Sequence, residues 1–318
     1  MASLLVGPTV QGARRRPRSM AEYMSKPYPT LPSRLVGQAL IAPQGGIELA
    51  VLTDAPCPRM GITITGLNKS LATVINIWRS VDGEAQMVVR GARNLSIVDA
   101  TYVVDYEAPL GRPVTYTLEI VSGLTIPPTL IATAQIDSDS VWLQDPLDPS
   151  TAVSVTWSFI SPYTDIVFAS SALADIGYED PGQLVRVLGD KYPTLLGGNR
   201  LAGSGIPMDL MTRTIVAANQ LRILLNAASP LLMRTIPAIS PPLPALAYVY
   251  AQVNERRVSF AAGELTSWSI KGDLVKPQSL NILVATWTYA NVSDLYDLYS
   301  TAAASGRSYL SWMKDPRP

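Results

Sequence analysis

The chain has 318 residues, with 25 basic and 25 acidic side chains, no histidine and a single cysteine. This excludes an internal disulfide, Ser-His and Cys-His catalysis and most zinc sites. With only 16% charged residues against 47% hydrophobic ones, the chain is poorly suited to neutralising nucleic-acid phosphates and better suited to sharing its surface with copies or partners.

Residues 1–46 read as an extended arm. Prolines at 8, 17, 27, 29, 32 and 43 deny it long helices and central strands, while Tyr23, Tyr28, Leu31 and Leu35 make it too apolar for a free tail. The cluster Arg14-Arg15-Arg16-Pro17-Arg18 is followed by Ser19-Met20-Ala21-Glu22 and not by an apolar core, so no secretory leader is expected. No apolar run approaches the ~20 residues of a membrane helix, so no membrane insertion is expected either.

Residues 47–136 read as a β-sandwich. Ile75, Ile77 and Arg79 alternate with Val74, Asn76 and Trp78, and Asp82-Gly83 supplies tight-turn chemistry. Further strands are expected at Met87–Val89, Thr101–Asp105, Val114–Ile120 and Thr129–Gln135. Cys57, between Pro56 and Pro58, reads as a small buried apolar residue.

Residues 137–318 read as a mainly antiparallel β-sheet domain with helices near 216–228 and 292–304, so the fold class is mainly β, with α+β character towards the C-terminus. Strands are expected at Val141–Leu143, Ala152–Phe159, Ile206–Ile215, Leu231–Arg234, Tyr248–Val253, Val258–Phe260, Leu265–Ile270 and Leu280–Thr288. Ser170–Gly205 reads as irregular. In the first helix Leu221, Leu224 and Leu225 form one apolar stripe; in the second, Asn291 or Ser293 is the expected cap and Gly306 the stop.

Sites of chemistry are scarce. Gly197 to Gly205 lacks the lysine of a phosphate-binding loop, and Asp145-Pro146 and Asp148-Pro149 read as turns, not as calcium ligands. The pairs Asp137/Asp139 and Asp294/Asp297 read as turn and helix-start acids, and Trp142, Trp157, Trp268, Trp287 and Trp312 as packing residues in the main. No catalytic residue, cofactor or metal site is expected.

Ile77, Arg79, Ser80, Asp82 and Gly83, then Asp105, Pro109, Gly111 and Tyr116, resemble the strand and turn pattern of fibronectin type III domains. That likeness implies a tyrosine corner at Tyr116, its hydroxyl bonded to upstream backbone; Leu110 interrupts the family's Pro-Gly turn. A second likeness spans about Val153 to Trp312. Leu224, Leu225, Pro230, Leu231, Leu232 and Arg234, then Trp268 and Pro277, then Thr286-Trp287, Asp294-Leu295-Tyr296 and Tyr299 are similar to minor tail proteins of siphophages that infect actinobacteria.

The resemblance implies a structural virion subunit at the tail tip, made in the host cytoplasm. It would be a distal tail or baseplate protein that homo-oligomerises as a ring and meets tail tube, tape measure and hub. Tyr23, Tyr28, Leu31, Leu35, Arg234 and Trp312 are the expected interface residues. The ring contacts are expected to run through sheet edges and helix faces. The alternative is an adhesin that binds a host receptor or glycan.

Overall fold

A computed structural model describes residues 46–318 except 68–71, 124–129, 158–163, 181, 190, 198–200, 240–242, 259–264, 288, 297–299, 302–303, 305, 316 and 318. The arm, with Tyr23, Tyr28, Leu31 and Leu35, lies outside the described residues, as do Asp297 and Tyr299.

The first half is a two-sheet sandwich. Its strands are β1 (Ile47–Leu52), β2 (Arg59–Ile64), β3 (Thr73–Val81), β4 (Met87–Val88), β5 (Leu95–Ile97), β6 (Thr101–Asp105), β7 (Pro113–Ser122) and β8 (Leu130–Gln135). One sheet has the order β1-β2-β6; the other runs β4-β3-β7-β8, with β5 also on β3. Alternation sends Ile75, Ile77, Tyr116 and Leu118 into the core. The Asp82-Gly83 turn forms as expected, with Gly83 at φ +77 and Glu84 N–H donating to Val81 C=O at 3.1 Å. All six residues of β2 are buried, so this strand is covered on both faces.

The second half is built around a closed sheet. Its strands begin with β9 (Val141–Gln144), β10 (Val153–Trp157) and β11 (Ile166–Phe168). Four short strands follow: β12 (Gly177–Glu179), β13 (Gln183–Val185), β14 (Thr194–Leu196) and β15 (Leu201–Ser204). Then come β16 (Ile206–Pro207), β17 (Leu210–Thr212), helix α1 (Ile215–Ala227), β18 (Leu231–Arg234), β19 (Leu246–Arg257) and β20 (Thr266–Leu274). The order β16-β20-β17-β11-β10-β9-β18-β19 returns to its start because β19 also pairs with β20, from Val249↔Leu274 to Arg257↔Thr266. Only β10 and β11 pair in parallel within this ring. Closure removes most of the free edges through which ring contacts were expected.

Helix α1 starts at the N-cap Thr214, whose hydroxyl accepts from Ala217 N–H at 3.2 Å, and buries Ala217, Ala218, Leu221 and Leu224. The expected strand at Ile206–Ile215 is instead two short strands followed by the start of this helix. The expected strand at Leu280–Thr288 is absent among the described residues: with the sheet already closed, this segment turns to the sandwich, where Gly91 N–H donates to Leu280 C=O at 2.8 Å. The second helix also starts earlier than its capping residues suggested, as α2 (Tyr289–Leu295). Ser293 lies inside it and its hydroxyl donates back to Ala290 C=O at 2.9 Å, a helix-internal bond that competes with capping. A short α3 (Tyr309–Lys314) ends the chain, capped by Ser308. No helix among the described residues is long and apolar enough to cross a membrane.

Candidate assembly interface

The two halves share one apolar core, running from Ile47 in β1 to Ile270 in β20. Their seam carries a buried polar network. Arg79 donates to Asp105 Oδ1 at 2.7 Å and to Glu107 Oε2 at 3.2 Å, and Arg90 Nε donates to Glu107 Oε1 at 2.7 Å. Tyr248, from β19, donates to Glu107 Oε2 at 2.9 Å and so ties the closed sheet to the sandwich. The tyrosine-corner expectation is corrected here: the Tyr116 hydroxyl donates to Asp105 Oδ2 at 3.0 Å and not to upstream backbone. A buried carboxylate needs donors more than a backbone carbonyl does, and the hydroxyl serves it.

The tyrosines and the arginine of this network are held in their protonated forms. Burial, and then the nearby Glu107 carboxylate, push the Tyr248 hydroxyl well up; burial and Asp105 do the same to Tyr116. Burial alone would lower the Arg79 pKa, but Asp105 and Glu107 outweigh it and hold the guanidinium charged. Asp105 and Glu107 are each held by several donors from different strands, an arrangement that suits a clamp.

Arg234 was expected at a subunit interface. It is fully buried within the chain, donating to Ala108 C=O at 2.9 Å and 2.5 Å and to Pro58 C=O at 2.6 Å, with Gln144 Oε1 at 3.4 Å. A guanidinium with five donors can satisfy carbonyls that converge from several loops, and here it fastens β18 to the sandwich. Trp312 is partly buried, its ring 5.3 Å from that of Tyr296 and with the Arg307 guanidinium 5.6 Å away. Trp268 is buried, as expected of a core residue, whereas Trp142 and Trp157 are only partly buried. Cys57 is a buried free thiol, its pKa raised by burial although Arg234 and Arg59 oppose this. Among the described residues no cluster of three or more potential metal ligands occurs.

The most exposed apolar surface lies where the sequence suggested irregular chain. Antiparallel pairing of β12 with β15 and of β13 with β14 turns residues 177–204 into a long hairpin. Its root is fixed by Asp273, which accepts from Gly205 N–H at 2.7 Å and from the Ser204 hydroxyl at 3.2 Å. Halfway out, Gly182 and Gly197 face each other so closely that a Cβ on Gly197 would lie 2.7 Å from Gly182 Cα.

Along this ribbon most of the large apolar side chains are exposed. Leu184 is 65% exposed, Leu188 104% and Tyr192 73%; Tyr178, Val187, Leu195 and Leu196 are also exposed. Leu184 pairs with Leu195, so they share one face, while Leu196 pairs with Gln183 on the other. Both faces of the hairpin are therefore apolar in part. Sequence reasoning passed over these residues. The signal was Gly189-Asp190, turn chemistry between two runs rich in Leu and Val.

Comparison with known protein families, curated proteins and solved structures returns no match to this chain.

Proposed function

We propose that this protein is a structural subunit that works by self-assembly, with the 177–204 hairpin as its principal contact with neighbouring copies. The exposed hairpin carries this reading. Its seven exposed large side chains present on the order of 1,000 Å² of apolar surface, comparable with the ~800 Å² that each partner buries in a standard stable interface. In the second half the closed sheet offers little edge for strand addition, and the ribbon is its most exposed apolar element. The paired charges of the seam support the same reading, since they favour a rigid block over a catalytic site.

The more specific reading places this subunit in a tailed phage, as a distal tail or baseplate ring that meets tail tube, tape measure and hub. It rests on the residues from Leu224 to Tyr299 that resemble siphophage minor tail proteins. The sandwich is read as a fibronectin type III-like module. Its division into β1-β2-β6 and β4-β3-β7-β8 parallels the two-sheet division of immunoglobulin-like sandwiches.

Native mass spectrometry and negative-stain microscopy of the purified chain test the assembly reading. Closed oligomers of one defined order are expected. A chain that stays monomeric at every accessible concentration overturns it.

A further inference from the structure

The three-stranded sheet of the sandwich has an open edge. β6 ends the order β1-β2-β6, and in an antiparallel pair every second residue points its N–H and C=O away from the partner strand. Among the described residues no backbone hydrogen bond reaches that outer side of β6. Thr101, Tyr102 and Val103 are nonetheless buried, so these backbone groups are shielded from bulk water, a cost that a further strand would remove.

A cavity of about 430 Å³ is lined by residues 101–104 of β6 and by residues 283–287 of the C-terminal segment. Successive residues of a strand face opposite sides of its sheet, yet Val103, which joins the shared core, and its neighbours Tyr102 and Val104 all line this cavity. A cavity that meets both faces of β6 runs along its edge. The charged groups in its lining, Arg90 and Glu107, pair with each other at 2.7 Å and leave it without a free charge. Its outer cover is loose: from 275 to 317 no described residue is buried. An uncharged groove beside an unpaired strand edge suits an extended, uncharged stretch of chain.

The arm holds such a stretch and joins this same sheet. Residues 33–42 are its longest run without proline, and Leu35 to Ile41 carry no charge. The arm leads into β1 at Ile47, which is in register with Ile64, as Ile64 is with Thr101. With strands about 4.8 Å apart, a strand added outside β6 lies roughly 14 Å from β1. Residues 42–46 reach up to ~17 Å, and Gly46, at φ +87, allows the turn.

We propose that the groove is the docking site of the arm's own stretch Leu35 to Ile41, which adds to β6 in antiparallel and makes this sheet four-stranded. Leu40 and Ile41 fall on opposite faces of the added strand, which matches apolar walls on both sides of it, Leu95 and Val103 towards the core and Tyr102 away from it. The site is independent of the hairpin and does not require assembly.

Residue-resolved amide hydrogen exchange on the full chain tests the assignment. The β6 amides that point away from β2 should be as protected as those that point towards it. Leu40→Asp combined with Ile41→Asp puts a carboxylate on each face of the added strand, whatever its register. It should speed exchange of the outer β6 amides at least about tenfold, the order of one lost hydrogen bond, while protection of β3 and β7 shows that the fold is intact. In the Leu188→Asp, Tyr192→Asp chain, and on dilution, the protection should persist, because the arm belongs to the same copy. The proposal is overturned if the outer amides of the parent already exchange freely, or if the arm variant leaves them protected, which would assign the edge to residues 283–287. Loss of protection on dilution also overturns it, since the strand would then come from a neighbouring copy.

Discussion

Three buried side chains converge on Glu107, with Arg79, Arg90 and Tyr248 all donating to its carboxylate. Replacing it with glutamine keeps the shape but leaves two buried guanidinium groups facing a neutral amide. Breaking a buried pair from one side costs about 3–5 kcal/mol, and Glu107→Gln should lower unfolding stability by that order in urea. A loss under about 1 kcal/mol would show that water, not protein, balances these charges. Glu119 offers the opposite case, a carboxylate on the surface. It accepts from Asn76 Nδ2 at 2.9 Å and from Trp78 Nε1 at 2.7 Å, and these two bonds hold its pKa below the usual range. A depressed folded pKa stabilises above the unfolded value, near pH 4.3, and the stabilisation is lost as pH falls through the folded one. The gap in urea midpoint between the parent and Glu119→Gln should therefore be wider at pH 7 than at pH 3; an equal gap at both would refute the linkage.

At the scale of elements, the hairpin stands apart from the other strands because it is paired but not packed. β2 is buried at all six positions, whereas β12 and β14 are exposed along their whole length. A paired ribbon with no third layer is marginal by itself in water, so its apolar side chains need a surface to close on. Leu188→Asp combined with Tyr192→Asp, both far from the core, should leave the thermal midpoint within about 1–2 °C of the parent, as surface changes do. The same pair should shift the native mass towards monomer. Unchanged oligomers in this variant would mean that another surface holds the subunits together. Helix α1 is the contrasting element: its exposed Ile215, Val216 and Ile223 are balanced by a buried stripe at Ala217, Ala218, Leu221 and Leu224 that already anchors it.

At the scale of the molecule, sandwich and closed sheet share a core and a polar seam, and the described residues all fall within one compact unit. Arg234, Gln144 and Tyr248 reach across from the second half, and Arg90 reaches back to Ser279. Halves joined in this way should unfold together. Calorimetry of the full chain should give a single transition whose van 't Hoff and calorimetric enthalpies agree. Two resolved transitions would mean that the seam contributes little. Since assembly would raise the apparent midpoint, the measurement belongs at several protein concentrations.

Much of the local structure was legible in the sequence. Two-residue alternation marked β3, β6 and β7, Asp82-Gly83 marked the turn, and the leucine spacing marked α1 to within a residue at each end. The missing histidines and the lone cysteine had already narrowed the chemistry. Each of these properties depends on backbone sterics or composition within about a dozen residues. Closure of the sheet through β19 and β20, the destination of Arg234 and the exposure of the hairpin were decided by tertiary contacts. The Arg234 side chain bonds to carbonyls 126 and 176 residues away in sequence. Nor could the apolar run at 183–196 announce that it would have nothing to pack against. Hydrophobicity is a property of the residue, but burial is a property of what the rest of the chain brings beside it.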